Sequence, residues 1–343
     1  MAYKAAIIQS DQVNALVEKP QIHADPGELL VRVHGCFICG SDLKTLKFGN
    51  PRISEDRIMG HEIAGTVVEV GAGVDRFQEG DRVALGADFP CFECERCEQE
   101  DYRGCTTHMA IGHEYDGGFA EFIRVPPSFV EEGPVIKVND DTPLRLAGLS
   151  EPVACCLRGF NERFFPASVK NLCIFGAGPI GSIIATIAKV KISNARVIFI
   201  EPNSVRRQRL ERLDIGDNWF ANLAELPTEM RPDLIFVACS VPEAQRDAVE
   251  LVRNGGTVCI FGGVPKSLNK PVIDSNLVHY KELCVYGTTG SDKRDVGNAL
   301  ELISRNQAVF EKLISCEFNL DEIGDALTVA QSGTELKVFI KCE

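Results

Sequence analysis

One glycine-rich segment limits what this chain can fold into more than any other feature. Gly176-Ala-Gly-Pro-Ile-Gly181 follows an apolar strand pattern that begins at Asn171, and it opens a helix pattern. An acidic residue, Glu201, stands about 20 positions beyond the last glycine. This order of strand, glycine turn, helix and acidic residue predicts a dinucleotide-binding βαβ unit. The glycines permit a tight turn and the close approach of a pyrophosphate, whose charge the helix N-terminus stabilises.

The same segment predicts which residues contact the cofactor. A carboxylate at Glu201 can accept hydrogen bonds from both ribose hydroxyls, which favours NAD because the 2′-phosphate of NADP would meet a negative charge. Arg206 and Arg207 keep an alternative open, because they could pair with that phosphate or form the solvated face of a helix. The predicted cofactor contacts are Gly176, Gly178, Pro179, Ile180, Gly181, Glu201 and Arg206.

Hydrophobic periodicity divides the chain into two parts. The first 150 residues are mostly strand and turn, with a β-branched run at Glu62–Val70 and a glycine at nearly every strand end, as a compact barrel requires. After Pro143 the pattern turns helical up to Phe164, and strands and helices then alternate. This alternation predicts a doubly wound parallel sheet covered by helices on both faces. Its strand candidates are residues 171–176, 196–200, 233–238, 256–261 and 282–286.

Four cysteines lie within one short stretch, with two, two and seven residues between them: Cys91, Cys94, Cys97 and Cys105. Four thiolates so close together can enclose one tetrahedral zinc ion, and a closed four-sulfur site is structural. The spacing resembles the start of a bacterial iron–sulfur signature, but there the fourth cysteine follows after three residues and precedes proline. Disulfides are the remaining alternative. We predict structural zinc.

Composition limits the compartment and the partners. The chain has 343 residues, 45% hydrophobic and 25% charged, which is typical of a globular enzyme of two domains. Its formal charge of −13 and the lack of a basic stripe argue against nucleic acid as a partner. The N-terminus has no secretory pattern and no run is long enough to span a membrane, so we expect a cytoplasmic protein. There the 14 cysteines should stay reduced, which favours metal ligation.

A second group of candidate ligands is scattered through the first part of the chain. Cys39-Gly-Ser-Asp42, Gly60-His-Glu62 and Glu151-Pro152 supply a thiol, an imidazole and carboxylates, all good zinc ligands. Each fragment alone has a plainer interpretation, since Cys39 or His61 could belong to a core and Glu151 could begin a helix.

Together, these fragments resemble the zinc-dependent medium-chain dehydrogenase/reductase family over essentially the full length of the chain. The segments Gly35–Asp42, Gly60–Val67, Gly80–Val83 and Gly117–Glu121 stand where that family's pattern has them. The resemblance implies a GroES-like β-barrel catalytic domain, residues 1–150 and 291–343, and a Rossmann domain, residues 151–290. It also implies a substrate cleft between them and two zinc ions per chain, one catalytic and one structural.

The resemblance further implies roles for individual residues. Cys39 and His61 would ligate the catalytic zinc, and Glu62 either binds it directly or lies just behind it, so Glu62 counts as both a metal and a catalytic residue. A glutamate followed by proline at Glu151 is similar to the sorbitol and polyol branch, where this carboxylate meets the metal or its water. Lys337 matches a basic position that contacts the cofactor phosphates.

Ser41 matches the residue that passes on the substrate's proton. Lys44 stands where the family often has histidine; it could join the relay, bind an acidic end of the substrate, or point to solvent. Gly112-His-Glu114 repeats the Gly-His-Glu triplet but lacks the strand that should follow. We therefore leave it unassigned to metal, with His113 as either a surface histidine or a substrate contact.

The resulting prediction is an NAD-dependent zinc enzyme that transfers hydride to or from a secondary alcohol of a polyol, sugar or sugar phosphate. The alternatives are a threonine-type or simple alcohol dehydrogenase, or a dinucleotide-binding protein without catalysis. The family resemblance implies a homodimer or homotetramer, and the chain does not select between them.

Overall fold

A computed structural model describes residues 2–9, 12–54, 56–265, 268 and 270–343. The chain divides into two compact units. The first contains residues 1–154, 290–333 and 337–343, and the second contains residues 155–289 and 334–336.

A seven-stranded sheet is the centre of the first unit. Six of its strands follow one another in the order Ile314–Asn319, Lys337–Lys341, Leu29–Phe37, Glu62–Val70, Arg82–Leu85 and Val135–Lys137. Phe122–Val125 also pairs with Leu29–Phe37. The pair Ile314–Asn319 with Lys337–Lys341 is parallel, and all other pairs of this sheet are antiparallel. The separate pairs Tyr3–Gln9 with Gln12–Lys19 and Asp88–Phe89 with Met109–Ala110 are also antiparallel.

Close backbone packing explains why glycine is needed within this sheet. A Cβ atom at Gly35 would lie 2.1 Å from the ring of Phe339, and one at Gly65 would lie 2.2 Å from the carbonyl oxygen of Arg32. Both positions therefore require the absence of a side chain. The register of Leu29–Phe37 against Glu62–Val70 shifts twice, so the strand bends on its way to the loop at Cys39.

Most helices of the first unit are short, and the longest, Lys293–Arg305, has 13 residues. The α-helices are Gly40–Phe48, Glu95–Glu98, Pro127–Glu131, Leu144–Ala147, Lys293–Arg305, Gln307–Glu311 and Ile323–Gln331, with 3-10 turns at Tyr102–Gly104 and Leu320–Glu322. Ser150–Gly159 contains the boundary between the units. The helical pattern predicted from Leu144 to Phe164 is therefore interrupted, because the first helix ends at Gly148 and a new one starts at Ser150.

A six-stranded, fully parallel sheet forms the second unit. Its strands follow the order Asn218–Phe220, Arg196–Ile200, Asn171–Phe175, Leu234–Val237, Thr257–Ile260 and Cys284–Gly287. Numbered along the chain this is 3-2-1-4-5-6, the doubly wound order of dinucleotide-binding domains. The accompanying helices are Pro179–Lys191, Ser204–Arg212, Pro242–Leu251 and Ser275–Tyr280, with 3-10 turns at Glu162–Phe164, Leu223–Glu225 and Thr228–Met230.

Burial follows from this architecture. Leu234–Val237 is buried at every position, as expected of a central parallel strand covered on both faces. The strand Asn218–Phe220 was not predicted, because it is only three residues long and only half-buried. In the described part of the chain, no helix combines the length and the apolar character needed to cross a bilayer.

Candidate active site

The helix Gly40–Phe48 begins where the bent strand Leu29–Phe37 ends, and its N-terminus gathers three functional side chains. Cys39 is the extended N-cap residue, and its backbone N–H donates to Asp42 Oδ2 at 2.8 Å. This bond satisfies one of the helix's unpaired backbone donors. Cys39, Ser41 and the buried Asp42 are thereby held at one end of the helix.

His61 and Glu62 enter the same region from the start of the next strand. Gly60 has a φ of 87°, and a Cβ there would lie 2.8 Å from Cys36 Sγ. Only glycine allows the chain to turn here without a clash. His61 Nε2 lies 3.2 Å from Ser41 Oγ, and His61 Nδ1 lies 3.4 Å from Asp42 Oδ1.

The ligand atoms of Cys39, His61 and Glu62 all lie within 4.8 Å of one another. A thiolate, an imidazole and a carboxylate form a typical donor set for zinc. Burial disfavours charge on His61, but the negative charges of Asp42 and Cys39 outweigh burial and raise its pKa well above its ordinary value. A buried site that stabilises positive charge this strongly is suited to bind a metal cation. Metal-binding histidines are also typically oriented by a carboxylate, as Asp42 orients His61 here.

Glu62 has a buried cationic partner. Lys337 Nζ lies 2.6 Å from Glu62 Oε1, 2.5 Å from Glu62 Oε2 and 3.1 Å from the carbonyl oxygen of Ile38. Burial lowers the pKa of Lys337, but the negative charges of Glu62, Cys39 and Glu151 together outweigh burial, and the net shift is upward. Lys337 therefore stays charged and holds the Glu62 carboxylate in place. Its predicted contact with cofactor phosphates stays a prediction.

Two other predicted site residues lie outside the three-residue group. Glu151 is buried in the first turn of Ser150–Gly159, and its charge adds to the upward pKa shift of Lys337. It is not among the residues whose ligand atoms lie within 4.8 Å. Lys44 is exposed on the helix Gly40–Phe48. Zinc ligation by Glu151 and proton relay by Lys44 stay predictions.

His113 lies beside the metal-binding group, although its sequence context left its place open. Its ring centroid is 6.0 Å from that of His61, at an interplanar angle of 58°. Burial, followed by the charges of His61 and Arg52, lowers the pKa of His113. Two signals were present in the sequence: the repeated Gly-His-Glu triplet, and the family resemblance, which places this segment near the substrate entrance. Neither signal indicated that residues 117–119 pair with residues 58–60.

The four clustered cysteines converge in a separate lobe. The Sγ–Sγ distances are 3.9 Å for Cys91 and Cys97, 3.6 Å for Cys94 and Cys97, and 3.6 Å for Cys91 and Cys105. A tetrahedron with zinc–sulfur bonds of about 2.3 Å has edges of about 3.8 Å, so this spacing fits one zinc ion. All four cysteines are free thiols rather than disulfides.

Backbone geometry supports the thiolate character of this lobe. Phe92, between the first two ligands, has a φ of 61°, a conformation that non-glycine residues rarely adopt. Backbone N–H groups of Thr106 and Cys97 lower the pKa of Cys94 to about 6. Burial and the neighbouring thiols raise the pKa of Cys97 to about 12. The thiol of Cys94 thus ionises readily, whereas the thiol of Cys97 ionises only if a cation neutralises the thiolate charge.

In the second unit the glycine segment forms the predicted turn between strand and helix. Gly176 has a φ of 100°, and a Cβ at Gly181 would lie 2.0 Å from the carbonyl oxygen of Gly176. Gly178 is the N-cap of Pro179–Lys191, and proline at the first helical position suits its missing N–H. The open N-terminus of this helix can receive a pyrophosphate.

Glu201 lies at the end of the second strand and is 4% exposed. Its Oε2 accepts the N–H of Ala177, within the glycine turn, at 2.8 Å, and its Oε1 accepts the N–H of Asn203 at 2.8 Å. Arg206 Nη1 lies 3.5 Å from Oε2. A carboxylate is therefore fixed directly beside the glycine turn, and Arg206 is already paired with it.

Comparison with known proteins identifies the family. The model of the alcohol dehydrogenase GroES-like domain matches residues 25–135, and that of the zinc-binding dehydrogenase matches residues 179–305. The L-threonine 3-dehydrogenase of Pyrococcus abyssi is 33% identical over 307 residues, which cover 84% of this chain and 80% of that protein. The chain belongs to the zinc-dependent medium-chain dehydrogenase/reductase family.

Further relatives within this dehydrogenase family have other names. The D-arabitol-phosphate dehydrogenase of Enterococcus avium is 26% identical, over 95% of this chain and 93% of that protein. Among solved structures, the galactitol-1-phosphate dehydrogenase of Escherichia coli has a sequence 26% identical to this chain. Its crystal structure superimposes on this one with a TM-score of 0.84, over 98% of this chain and 99% of that one.

Membership of the dehydrogenase family confirms several predictions. The predicted fold class, a GroES-like domain with a Rossmann domain, is confirmed by the two family models and the sheet topology. The protein is an oxidoreductase of the zinc-containing alcohol dehydrogenase type. Its predicted cofactors, zinc and a nicotinamide dinucleotide, are those of the family, and the chain has two residue groups suited to zinc.

Proposed function

We propose that this protein oxidises a secondary alcohol of a polyol, sugar or sugar phosphate with NAD, and reduces the corresponding ketone in reverse. The observation that carries the proposal is the convergence of Cys39, His61 and Glu62 beside Ser41. Two relatives that span nearly the whole chain are named for phosphorylated polyols, which supports this substrate class. The Glu151-Pro152 pair supports the same class.

In this proposal Cys39, His61 and Glu62 would hold the catalytic zinc. Zinc at this position supplies Lewis-acid stabilisation of an alcohol oxygen that loses its proton. Lys337 fixes the Glu62 carboxylate, and Asp42 orients the His61 ring through its Nδ1 side. Glu151, outside the group, would act through water.

Ser41 is the proposed first acceptor of the substrate proton. Its Oγ lies 3.2 Å from His61 Nε2, the ring nitrogen that faces away from Asp42. A hydroxyl can accept one proton while it donates its own, so it can pass charge outward without becoming an ion itself. The exposed Lys44, one helical turn further on, is proposed as a later member of the relay or as a contact for an anionic substrate group.

NAD is the proposed dinucleotide. Gly176, Gly178, Pro179, Ile180 and Gly181 would hold its pyrophosphate, and Glu201 would accept hydrogen bonds from the ribose hydroxyls. The pairing of Arg206 with Glu201 supports NAD over NADP, because that arginine's charge is already compensated.

Cys91, Cys94, Cys97 and Cys105 would bind the second zinc, with a structural role. We further propose a cytoplasmic location, assembly as a homodimer or homotetramer, and no nucleic-acid or membrane partner. The formal charge of −13 supports the absence of nucleic acid.

A threonine dehydrogenase is the second candidate function. The relative of Pyrococcus abyssi that carries this name is 33% identical, more than the polyol-named relatives described above. In threonine, the carbon next to the one that bears the hydroxyl carries an ammonium and a carboxylate group. A threonine dehydrogenase and a polyol dehydrogenase therefore differ in the charges of the substrate that the site must bind.

One panel of substrates separates the candidates. The purified protein is incubated with NAD and, separately, D-sorbitol, xylitol, D-arabitol 5-phosphate, galactitol 1-phosphate, L-threonine and butan-2-ol, and NADH absorbance is recorded. We expect the highest kcat/KM with a polyol or its phosphate. A higher kcat/KM with L-threonine favours the second candidate, and turnover of none of them, with NAD bound, contradicts both.

A further inference from the structure

His113 has a buried polar atom that the structure leaves without a partner. Its Nδ1 is inaccessible to solvent and forms no hydrogen bond with any described residue. An unsatisfied buried polar group of this kind destabilises the folded protein. Such groups persist mostly where a ligand or water completes them, so this nitrogen needs an explanation.

The loop around His113 is rigidly attached to the metal-binding group. Backbone N–H groups of Gly117, Gly118 and Phe119 donate to the carbonyl oxygens of Ile58, Gly60 and Met59, at 2.7, 2.8 and 3.0 Å. A Cβ at Gly117 would lie 2.2 Å from Gly60 O. The loop therefore packs directly against the residue that precedes His61.

An ion pair fixes the other side of the loop. Arg52 Nε and Nη2 donate to Glu114 Oε1 and Oε2 at 2.6 and 2.9 Å, and Nη2 also donates to the carbonyl oxygen of His108 at 3.1 Å. Glu114 Oε2 accepts the N–H of Ala110 at 2.9 Å. His113 thus stands next to Glu114, whose carboxylate accepts three hydrogen bonds, which is the kind of support that a recognition side chain requires.

We propose that His113 recognises the substrate by a hydrogen bond from its imidazole to the hydroxyl on the carbon next to the reacting one. The inference rests on the proposed function and deepens it, because it selects vicinal diols over alcohols with a single hydroxyl. The ring centroid lies 6.0 Å from that of His61, near enough to contact a substrate bound at the metal group. His113 is not itself among the residues whose ligand atoms lie within 4.8 Å, so it is free for this role.

The chemistry of imidazole suits a hydroxyl partner. A neutral ring offers one donor and one acceptor, and a hydroxyl can pair with either. A site built to hydrogen-bond a hydroxyl rejects analogues that lack it, because its own polar atom is then left buried and unpaired. Arg52 and Glu114 act as positioning residues through the loop, without touching the substrate.

The test compares butane-2,3-diol with butan-2-ol, which differ in the hydroxyl in question. The variants are His113→Phe, His113→Asn, which keeps a polar atom near Nδ1, and His113→Gln, which keeps one near Nε2. His23→Gln, at an exposed histidine of the same unit, is the control. For each protein we measure kcat/KM for both alcohols, zinc content, and dissociation constants from the visible spectrum of the cobalt-substituted enzyme without NAD.

We expect the wild-type protein to prefer the diol, and His113→Phe to lower that preference about 10- to 100-fold in both kcat/KM and binding, with zinc content unchanged. Asn or Gln should restore part of the preference, according to which nitrogen makes the contact. An unchanged preference in His113→Phe, or no preference for the diol in the wild-type protein, overturns the inference. Loss of NAD reduction with the whole polyol panel would instead count against the proposed function.

Discussion

Lys337 Nζ lies within 2.6 Å of both carboxylate oxygens of Glu62, and the two side chains are 2% and 0% exposed. The pair joins the C-terminal strand Lys337–Lys341 to the strand that begins beside His61. Neither partner has access to solvent, so each charge depends on the other for its stabilisation. The pair therefore links the stability of the first unit to the geometry of the metal group.

Breaking this pair should destabilise the protein strongly. We expect Lys337→Met or Glu62→Gln to lower the free energy of unfolding by about 3–5 kcal/mol, because each leaves one buried charge without compensation. The double variant should recover a large part of the loss. Urea denaturation monitored by fluorescence, with all four proteins compared as a double-mutant cycle, measures the coupling. Additive effects of the two single variants would show that the pair is not coupled.

Removing the Ser41 hydroxyl should slow the chemistry without loss of metal. We expect Ser41→Ala to lower kcat about 10²- to 10⁴-fold with little change in KM, because the substrate proton loses its first acceptor. Ser41→Thr keeps the hydroxyl and should retain most of the activity. Steady-state NADH formation on the best polyol of the panel, with zinc content as the control, decides the matter. A kcat for Ser41→Ala equal to that of Ser41→Thr would remove Ser41 from the relay.

We also expect the two metal groups to bind zinc independently. Elemental analysis should give about two zinc ions per wild-type chain and about one in either Cys94→Ser or Cys39→Ser. Cys94→Ser should also lower the thermal midpoint more than Cys39→Ser, because the cysteine lobe has a structural role. One zinc in the wild-type protein, lost on Cys94→Ser and retained on Cys39→Ser, would contradict a catalytic zinc.

Cofactor choice should depend on Glu201. We expect Glu201→Gln to lower the ratio of kcat/KM for NAD to that for NADP about 10- to 100-fold, because the 2′-phosphate no longer meets a negative charge. Arg206, released from its pairing, should then favour NADP, so Arg206→Ala in the Glu201→Gln background should reverse part of the change. Steady-state kinetics with both cofactors measure these ratios, and a ratio unaffected by Glu201→Gln contradicts the assigned role.

Local patterns predicted much of the fold. The β-branched run Glu62–Val70 and the apolar run Arg196–Ile200 correspond to strands with the same limits, because burial and β-propensity agree there. The short strand Asn218–Phe220 was missed, since three half-buried residues give little periodicity. The interruption at Gly148 was also missed, because both flanking segments have helical patterns.

The site was predictable where its residues are close in sequence and obscure where the fold brings distant segments together. The four cysteines lie close together in the sequence, and their spacing alone predicted that their side chains converge. The contact between Glu62 and Lys337 joins positions 275 residues apart, and no local sequence pattern pairs the two. His113 was equally obscure, because its proximity to His61 depends on backbone pairing between residues 58–60 and 117–119.

The most direct test of the central claim is NAD reduction by Cys39→Ser, with the polyol that the wild-type protein oxidises fastest. Cys316→Ser, at a half-buried cysteine outside both metal groups, is the matched control. We predict that Cys39→Ser keeps its fold, the zinc of the cysteine lobe and NAD binding, yet forms no NADH above background, while Cys316→Ser retains wild-type activity. Polyol-dependent NADH formation by Cys39→Ser at the wild-type rate would contradict a catalytic zinc held by Cys39.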